Sequence, residues 1–195
     1  MQIEFLTEAC PRRSAAEAHI RDVYARCYNA RVENFAPLLA AAFNSRGDIL
    51  CAAGLRTSES GFFSDCYLDR GFSETLLARM GLAIDDSRIM EVTSLASTSP
   101  FPVLRLLDRM IGWGRDRGIV CGVFTATAPL RRLLGRTGLD YTVLNTAESA
   151  RVANPEAWGS YYDADPQVCA FIENESRRAS LSPHARMTAI QREVV

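Results

Sequence analysis

A single carboxylate, Glu91, interrupts the β-branched and apolar run RIMEVTSLAS (Arg88–Ser97). Burial of such a side chain disfavours its charged form and raises its pKa toward the range where a general base works. The alternative is that the carboxylate faces solvent at a sheet edge or meets a cation, since an unpaired buried charge is costly. Arg56, in ILCAAGLRTS, is the candidate cation. Its planar fork also suits a substrate carboxylate, held through two parallel hydrogen bonds. A third feature is SLASTSP (Ser94–Pro100), which leads from the strand into a helix start at Ser99–Pro100. Free backbone N–H groups and the helix dipole favour an anion such as phosphate there. If Ser99 is only an N-cap, the same residues need no ligand.

Other chemistries find little support. Six cysteines (Cys10, Cys27, Cys51, Cys66, Cys121, Cys169) are scattered singly, without a C-x-x-C pair. They read as reduced, mostly buried thiols, and no metal site is expected. His19 and His184 are the two histidines, one in an N-terminal helix and one in a polar tail, so Cys/His and Ser/His/Asp catalysis have few ways to assemble. Trp158, Tyr161, Tyr162 and Asp163 form an aromatic cluster with polar tips, suited to lining a channel or to packing beside the last strand. Phe62 and Phe63 can contact an apolar ligand. Arg131, Arg132 and Arg136 present cations on a short helix, as a solvated face or a landing site for an acidic partner.

The elements that must position these residues follow from periodicity. QIEFL (Gln2–Leu6) reads as a short strand, and Ser14 with Glu17 has the spacing of a capping box for a helix to Tyr28. Ile20, Val23, Tyr24 and Cys27 make its apolar face. NFAPLLAAAFN (Asn34–Asn44) and ILCAAGLRTS (Ile49–Ser58) flank a turn at Arg46-Gly47-Asp48 and read as antiparallel strands. Ser60–Met80 reads as a flap with a short helix, SETLLARM, ending at Gly81. Arg88–Ser97 is then a central strand, Ser99–Arg117 a helix stopped by Gly118, and GIVCGVFTAT a buried strand. PLRRLLGRTG makes a second short helix, with YTVLN and VCAFI as the last strands. A meander followed by a β-α-β crossover predicts an α+β (α/β-like) domain with a mixed central sheet and helices on both faces.

At 195 residues with 48% apolar and 23% charged side chains, the chain suits one soluble domain. Lys+Arg 22 against Asp+Glu 23 leaves a formal charge of -1, which does not recommend nucleic acid as a partner. No stretch approaches the roughly 20 apolar residues of a transmembrane span, and Glu4 and Glu8 stand where a signal peptide would be basic and then apolar. A cytoplasmic location is therefore expected. Residues 1–172 read as the domain and 173–195 as a polar C-terminal tail.

The stretch from Tyr24 to Phe171 resembles the thermostable hemolysin family through ARVENFAPLLAA, CAAGLR, YLD (Tyr67–Asp69), EVTSLAS, VFTATAPLRRLLGRTGL and WGSYYDADPQVCA. That family favours E-V-G-N-L-A where this chain has Thr93-Ser94 in place of Gly-Asn, so polar contacts at the end of the strand differ. The layout is similar to GNAT N-acyltransferases and to acyl-homoserine-lactone synthases. Those synthases carry an Arg in the strand before the flap and a Glu on the central strand, which the resemblance carries to Arg56 and Glu91. It implies an acyltransferase that moves an acyl group from a thioester to the amine of a small molecule such as an amino acid.

The usual GNAT acetyl-CoA loop, Q/R-x-x-G-x-G/A, is replaced here by STSPFP. That favours a longer acyl chain on phosphopantetheine, delivered by an acyl carrier protein or as acyl-CoA, with no tightly bound cofactor. Leu95, Ala96, Ser97, Thr98 and Ser99 are the candidate donor-binding residues, and Phe62, Tyr67, Thr93, Phe124, Trp158 and Tyr161 the candidate substrate-binding ones. A second reading is a membrane-active or lipid-binding protein without turnover. The lack of a long cationic amphipathic helix speaks against direct insertion.

Overall fold

A computed structural model describes residues 1–173. Seven strands form one sheet: β1 (Gln2–Leu6), β2 (Leu38–Phe43), β3 (Ile49–Thr57), β4 (Ile89–Ser97), β5 (Cys121–Ala126), β6 (Thr142–Thr146) and β7 (Gln167–Ile172). Their spatial order is β1-β2-β3-β4-β5-β7-β6. Among the described residues only β4 and β5 pair in parallel, joined by helix α3 (Pro100–Arg115), while the other neighbours are antiparallel. Helices α1 (Arg13–Tyr28), α2 (Phe72–Met80) and α4 (Ala128–Arg136) complete the fold. This is the mixed, helix-covered sheet that the sequence pattern implies.

Alternation along the strands divides the core into two layers. In β2, Leu39, Ala41 and Phe43 pack under Ile20 and Val23 of α1, whereas Ala40 and Ala42 face Val103, Leu106 and Met110 of α3. Farther along the sheet, Cys121 and Val123 lie under Phe72 and Leu76 of α2, while Phe124 and Ala126 meet Ile111 and Leu134 on the other face. So α1, α2 and the 58–68 flap cover one face, and α3 and α4 the other. Leu106 is fully buried in the second layer, and truncating it to Ala costs ~2–5 kcal/mol by analogy with other core leucines.

Several boundaries differ from the sequence expectation for identifiable reasons. Helix α1 begins at Arg13, and the Ser14/Glu17 capping box does not form. Arg13 is buried instead, donating to the carbonyls of Leu6 (3.2 Å), Ala36 (2.7 Å) and Pro37 (2.8 Å), and Glu17 turns back to balance its charge at 2.8 Å. Strand β2 starts at Leu38, directly after Pro37. Helix α3 stops at Arg115, because Gly118 (φ 77°) closes the turn with Ile119 donating to the Gly114 carbonyl. Glu173 is still tied down: its N–H donates to Val120 at 2.9 Å and its carboxylate meets Arg115. The rest of the expected polar tail lies outside the described residues.

Two departures from regularity shape the centre of the sheet. Between Ala52↔Ala96 and Gly54↔Thr93, two steps on β3 oppose three on β4, a bulge in which Ser94 takes φ 50°. Gly54 is required opposite it, since a Cβ there would lie 2.5 Å from Thr93 Oγ1 and 2.8 Å from Ala36 Cβ. The second departure is the β4/β5 ladder, which ends at Val92↔Phe124 although β4 continues beside β3 to Ser97.

Candidate functional site

Where β4 and β5 part, a cavity of about 440 Å³ passes through the sheet. Tyr24 and Tyr28 of α1 and Tyr161 line it on the flap face. On the other face its walls are apolar, from Val103, Leu107 and Met110 of α3 and Leu130, Leu133 and Leu134 of α4. Phe124 and Phe171 close the sheet side. Polar groups are few and set along and just beyond the parting strands: Ser94, Ser97, Thr98, Ser99, Thr125 and Thr127, with Arg136 from α4. An apolar slot with a few polar groups at its rim has the make-up of a small-molecule site.

Of the sequence-derived candidates, Leu95, Ser97, Thr98, Ser99, Phe124 and Tyr161 meet at this cavity. Ala96 points the other way, into the α1 layer. Phe62 packs edge-on against Phe72 at 5.4 Å inside the flap core. Tyr67 is buried beside it, its hydroxyl bonded to that of Tyr162 at 2.8 Å. Trp158 packs edge-on or tilted among Phe63 (5.7 Å), Tyr24 and Tyr161 (5.4 Å), so it backs the tyrosines that face the cavity. Thr93 sits at the bulge over Gly54.

Glu91 is fully buried on the flap face of β4. Its Oε2 accepts the Phe63 N–H at 2.6 Å and its Oε1 the Ser64 N–H at 2.9 Å. Desolvation pushes its pKa up, and the Ser64 hydroxyl, these two amides and the nearby Arg56 charge pull back against it. Ser64, whose N–H holds Glu91, also places its buried hydroxyl 2.7 Å from the hydroxyl of Thr125, which lines the cavity. Arg56 stands beside Glu91 in register but donates to the carbonyls of Ser60 (3.2 Å) and Gly61 (3.5 Å), bracing the flap turn.

The start of α3 is poor in donors. Pro100 and Pro102 occupy its first and third positions and have no N–H, and the Ser99 N–H already faces Ser97 Oγ at 3.4 Å. The Ser99 side chain makes no capping bond, and one of the two N–H groups it could accept from is missing at Pro102. Phe101 is left with the one open N–H of the first turn. On α4, Arg131 is folded against Asp165 at 2.6 Å, while Arg132 and Arg136 are exposed. Burial pushes the thiols of Cys51, Cys121 and Cys169 up to about 12, which removes them as nucleophiles near neutrality.

The cavity walls from α3 and α4 escaped sequence reasoning, because Val103, Leu107 and Met110 repeat like any core-facing stripe. The Ser64–Thr125 contact joins residues 61 positions apart and leaves no mark on either local pattern.

The fold recurs in several solved structures. TofI, solved in a ternary complex with an inhibitor and MTA, is similar over 95% of this chain and 100% of its own, with 14% identity and a TM-score of 0.65. FeeM, an N-acyl amino acid synthase from uncultured soil microbes, shares 17% identity over 95% of this chain and 99% of its own, with a TM-score of 0.61. BjaI, a CoA-dependent acyl-homoserine lactone synthase solved with SAM and isopentyl-CoA, shares 13% identity over 92% and 86%, with a TM-score of 0.60. No curated protein sequence matches the chain. With residues 6–176 matching its family model, the chain belongs to the thermostable hemolysin family.

Proposed function

We propose that this protein is an N-acyltransferase that takes an acyl group from a phosphopantetheine thioester and delivers it to the amine of a small molecule such as an amino acid. The observation that carries this reading is the apolar cavity opened through the sheet by the parting of β4 and β5. The acyl chain then lies in the slot on the α3/α4 face, with its thioester between the two strand ends. Beyond Val92 the β4 edge toward β5 has no strand partner, so an amide-bearing pantetheine arm can pair with it as an added strand would. The likeness of the fold to N-acyl amino acid and acyl-homoserine lactone synthases supports the same reading.

Leu95, Ser97, Thr98 and Ser99 then border the donor arm, and Phe124 and Tyr161 the acyl and acceptor ends. Glu91 is the base that receives the proton of the attacking amine, a role worth about 10²–10⁴-fold in rate. Arg56 acts by positioning the flap that covers Glu91. The proline-rich start of α3 disfavours a pyrophosphate cradle, so the donor is an acyl carrier protein, or a CoA thioester held mainly by its pantetheine and acyl parts. Such donors and acceptors suit a cytoplasmic enzyme, and no helix among the described residues is long and apolar enough to cross a membrane.

A mass-spectrometric screen tests the proposal directly. Octanoyl carrier protein and octanoyl-CoA are each incubated with pooled amino acids and amines. A protein-dependent amide product is expected, and hydrolysis alone, or no reaction with any pair, would overturn it.

A further inference from the structure

Glu91 cannot touch a substrate in the cavity: it is fully buried, and both carboxylate oxygens face the flap. Any proton it receives must cross the layer between it and the cavity. Among the described residues, Ser64 and Thr125 bridge that layer. Thr125 lies on β5 just past the last β4/β5 pair, where the opening of the ladder exposes it to the cavity. Its hydroxyl is 2.7 Å from that of Ser64, whose side chain lies near enough to Glu91 to pull the carboxyl's pKa down against burial. Ser64 is itself buried, and its position is fixed independently by its own N–H on Glu91. A hydroxyl can donate and accept at once, so two in series carry a proton without either being ionised for long.

We infer that Thr125 and Ser64 form a proton relay between the cavity and Glu91, an inference that rests on the acyl-transfer reading above. The amine nitrogen attacks the thioester carbonyl, forming the C–N bond. The nitrogen gives its proton to Thr125 Oγ1 as the Thr125 proton passes to Ser64 Oγ and the Ser64 proton to Glu91. The C–S bond breaks, and the departing thiolate recovers the proton by the same route, leaving Glu91 ionised and an amide product. Thr125 is the member that touches the reacting atoms, and Ser64 is the link.

The test compares two nucleophiles on one donor, octanoyl-pantetheine. Hydroxylamine must lose a proton during attack, whereas the thiolate of N-acetylcysteamine, formed in alkaline buffer, has none to lose. Thr125→Val is expected to slow hydroxamate formation by about 10²-fold or more beyond any effect it has on thioester exchange, the lower bound for a general-base contribution. Ser64→Ala should match it, because its backbone N–H to Glu91 is kept, and the double variant should be little worse than either, as expected of groups acting as a unit. Thr125→Ser should restore most of the aminolysis. Wild-type aminolysis in Thr125→Val, or equal losses of aminolysis and exchange, overturns the relay and leaves Thr125 a packing residue. Absence of both reactions from the wild-type protein overturns the acyl-transfer reading itself, and the relay with it.

Discussion

Arg56 and Glu91 lie directly opposite each other across β3 and β4, yet each spends its hydrogen bonds on the flap rather than on the other. The guanidinium holds the carbonyls of Ser60 and Gly61, and the carboxylate holds the N–H groups of Phe63 and Ser64. Opposite charges on adjacent strands thus clamp opposite ends of one peptide run. The flap is fastened by its backbone, which lets its side chains vary without releasing it.

Glu91→Gln removes one of two acceptors, because an amide has a single oxygen and its NH₂ would confront a flap N–H. The variant should lose about 1–3 kcal/mol of stability, the cost of an unmade buried hydrogen bond. Hydrogen exchange at Phe63 and Ser64 should quicken more than at Val123 or Ala170 in the neighbouring strands. Unchanged protection at those two amides would show that the clamp is not what holds the flap.

The same carboxylate sets a pH dependence. Burial raises its pKa above the ordinary value of 4.5, so ionising Glu91 costs more in the folded chain than in the unfolded one. Its contribution is therefore most favourable at or below the ordinary value and declines as pH rises from there through the folded-state pKa. Urea unfolding of wild type and Glu91→Gln should show a stability gap that is widest at the acid end and narrows across that window. A gap that widens with pH would reverse the sign of the shift.

Much of this arrangement was legible in the sequence. Glu91 stood out as a lone charge in an apolar run, and Pro100 with Gly118 bracketed α3. Arg13 was not legible, because Ser14 and Glu17 imitate a capping box and nothing local marks an arginine that will find three carbonyls from two other segments. The cavity was hidden for a different reason: a leucine on α3 or α4 has the same neighbours in sequence whether it packs on the sheet or faces a gap. The gap depends on where the β4/β5 ladder stops, a tertiary fact. The start of α3 reads in sequence as a source of free N–H groups for an anion, whereas Pro100 and Pro102 have none to offer.

The apolar walls set a chain-length rule. Each methylene of the acyl group that enters the slot should strengthen donor binding about fourfold, from ~0.8 kcal/mol per buried CH₂. Calorimetry with acetyl- to dodecanoyl-pantetheine should rise on that slope and then level off. Leu107→Trp, which narrows the slot, should move the plateau to shorter chains. Affinity independent of chain length would mean that acyl groups bind elsewhere.

With only the Phe101 N–H open at the start of α3, the nucleotide half of CoA gains little. Octanoyl-CoA and octanoyl-pantetheine should therefore bind within about tenfold of each other, the worth of roughly 1.4 kcal/mol. A CoA preference of several hundredfold would place a pyrophosphate site on this protein after all.

The most direct measurement follows the acyl carbon itself. Octanoyl-pantetheine labelled with ¹³C at the carbonyl is mixed with the protein, and an amine is then added while ¹³C NMR is recorded. The carbonyl resonance should stay at the thioester position until the amine arrives and then move to the amide position, at a rate set by protein concentration. A signal that remains thioester in the presence of protein and every amine tried, or that passes only to free octanoate, would contradict acyl transfer as the work of this cavity.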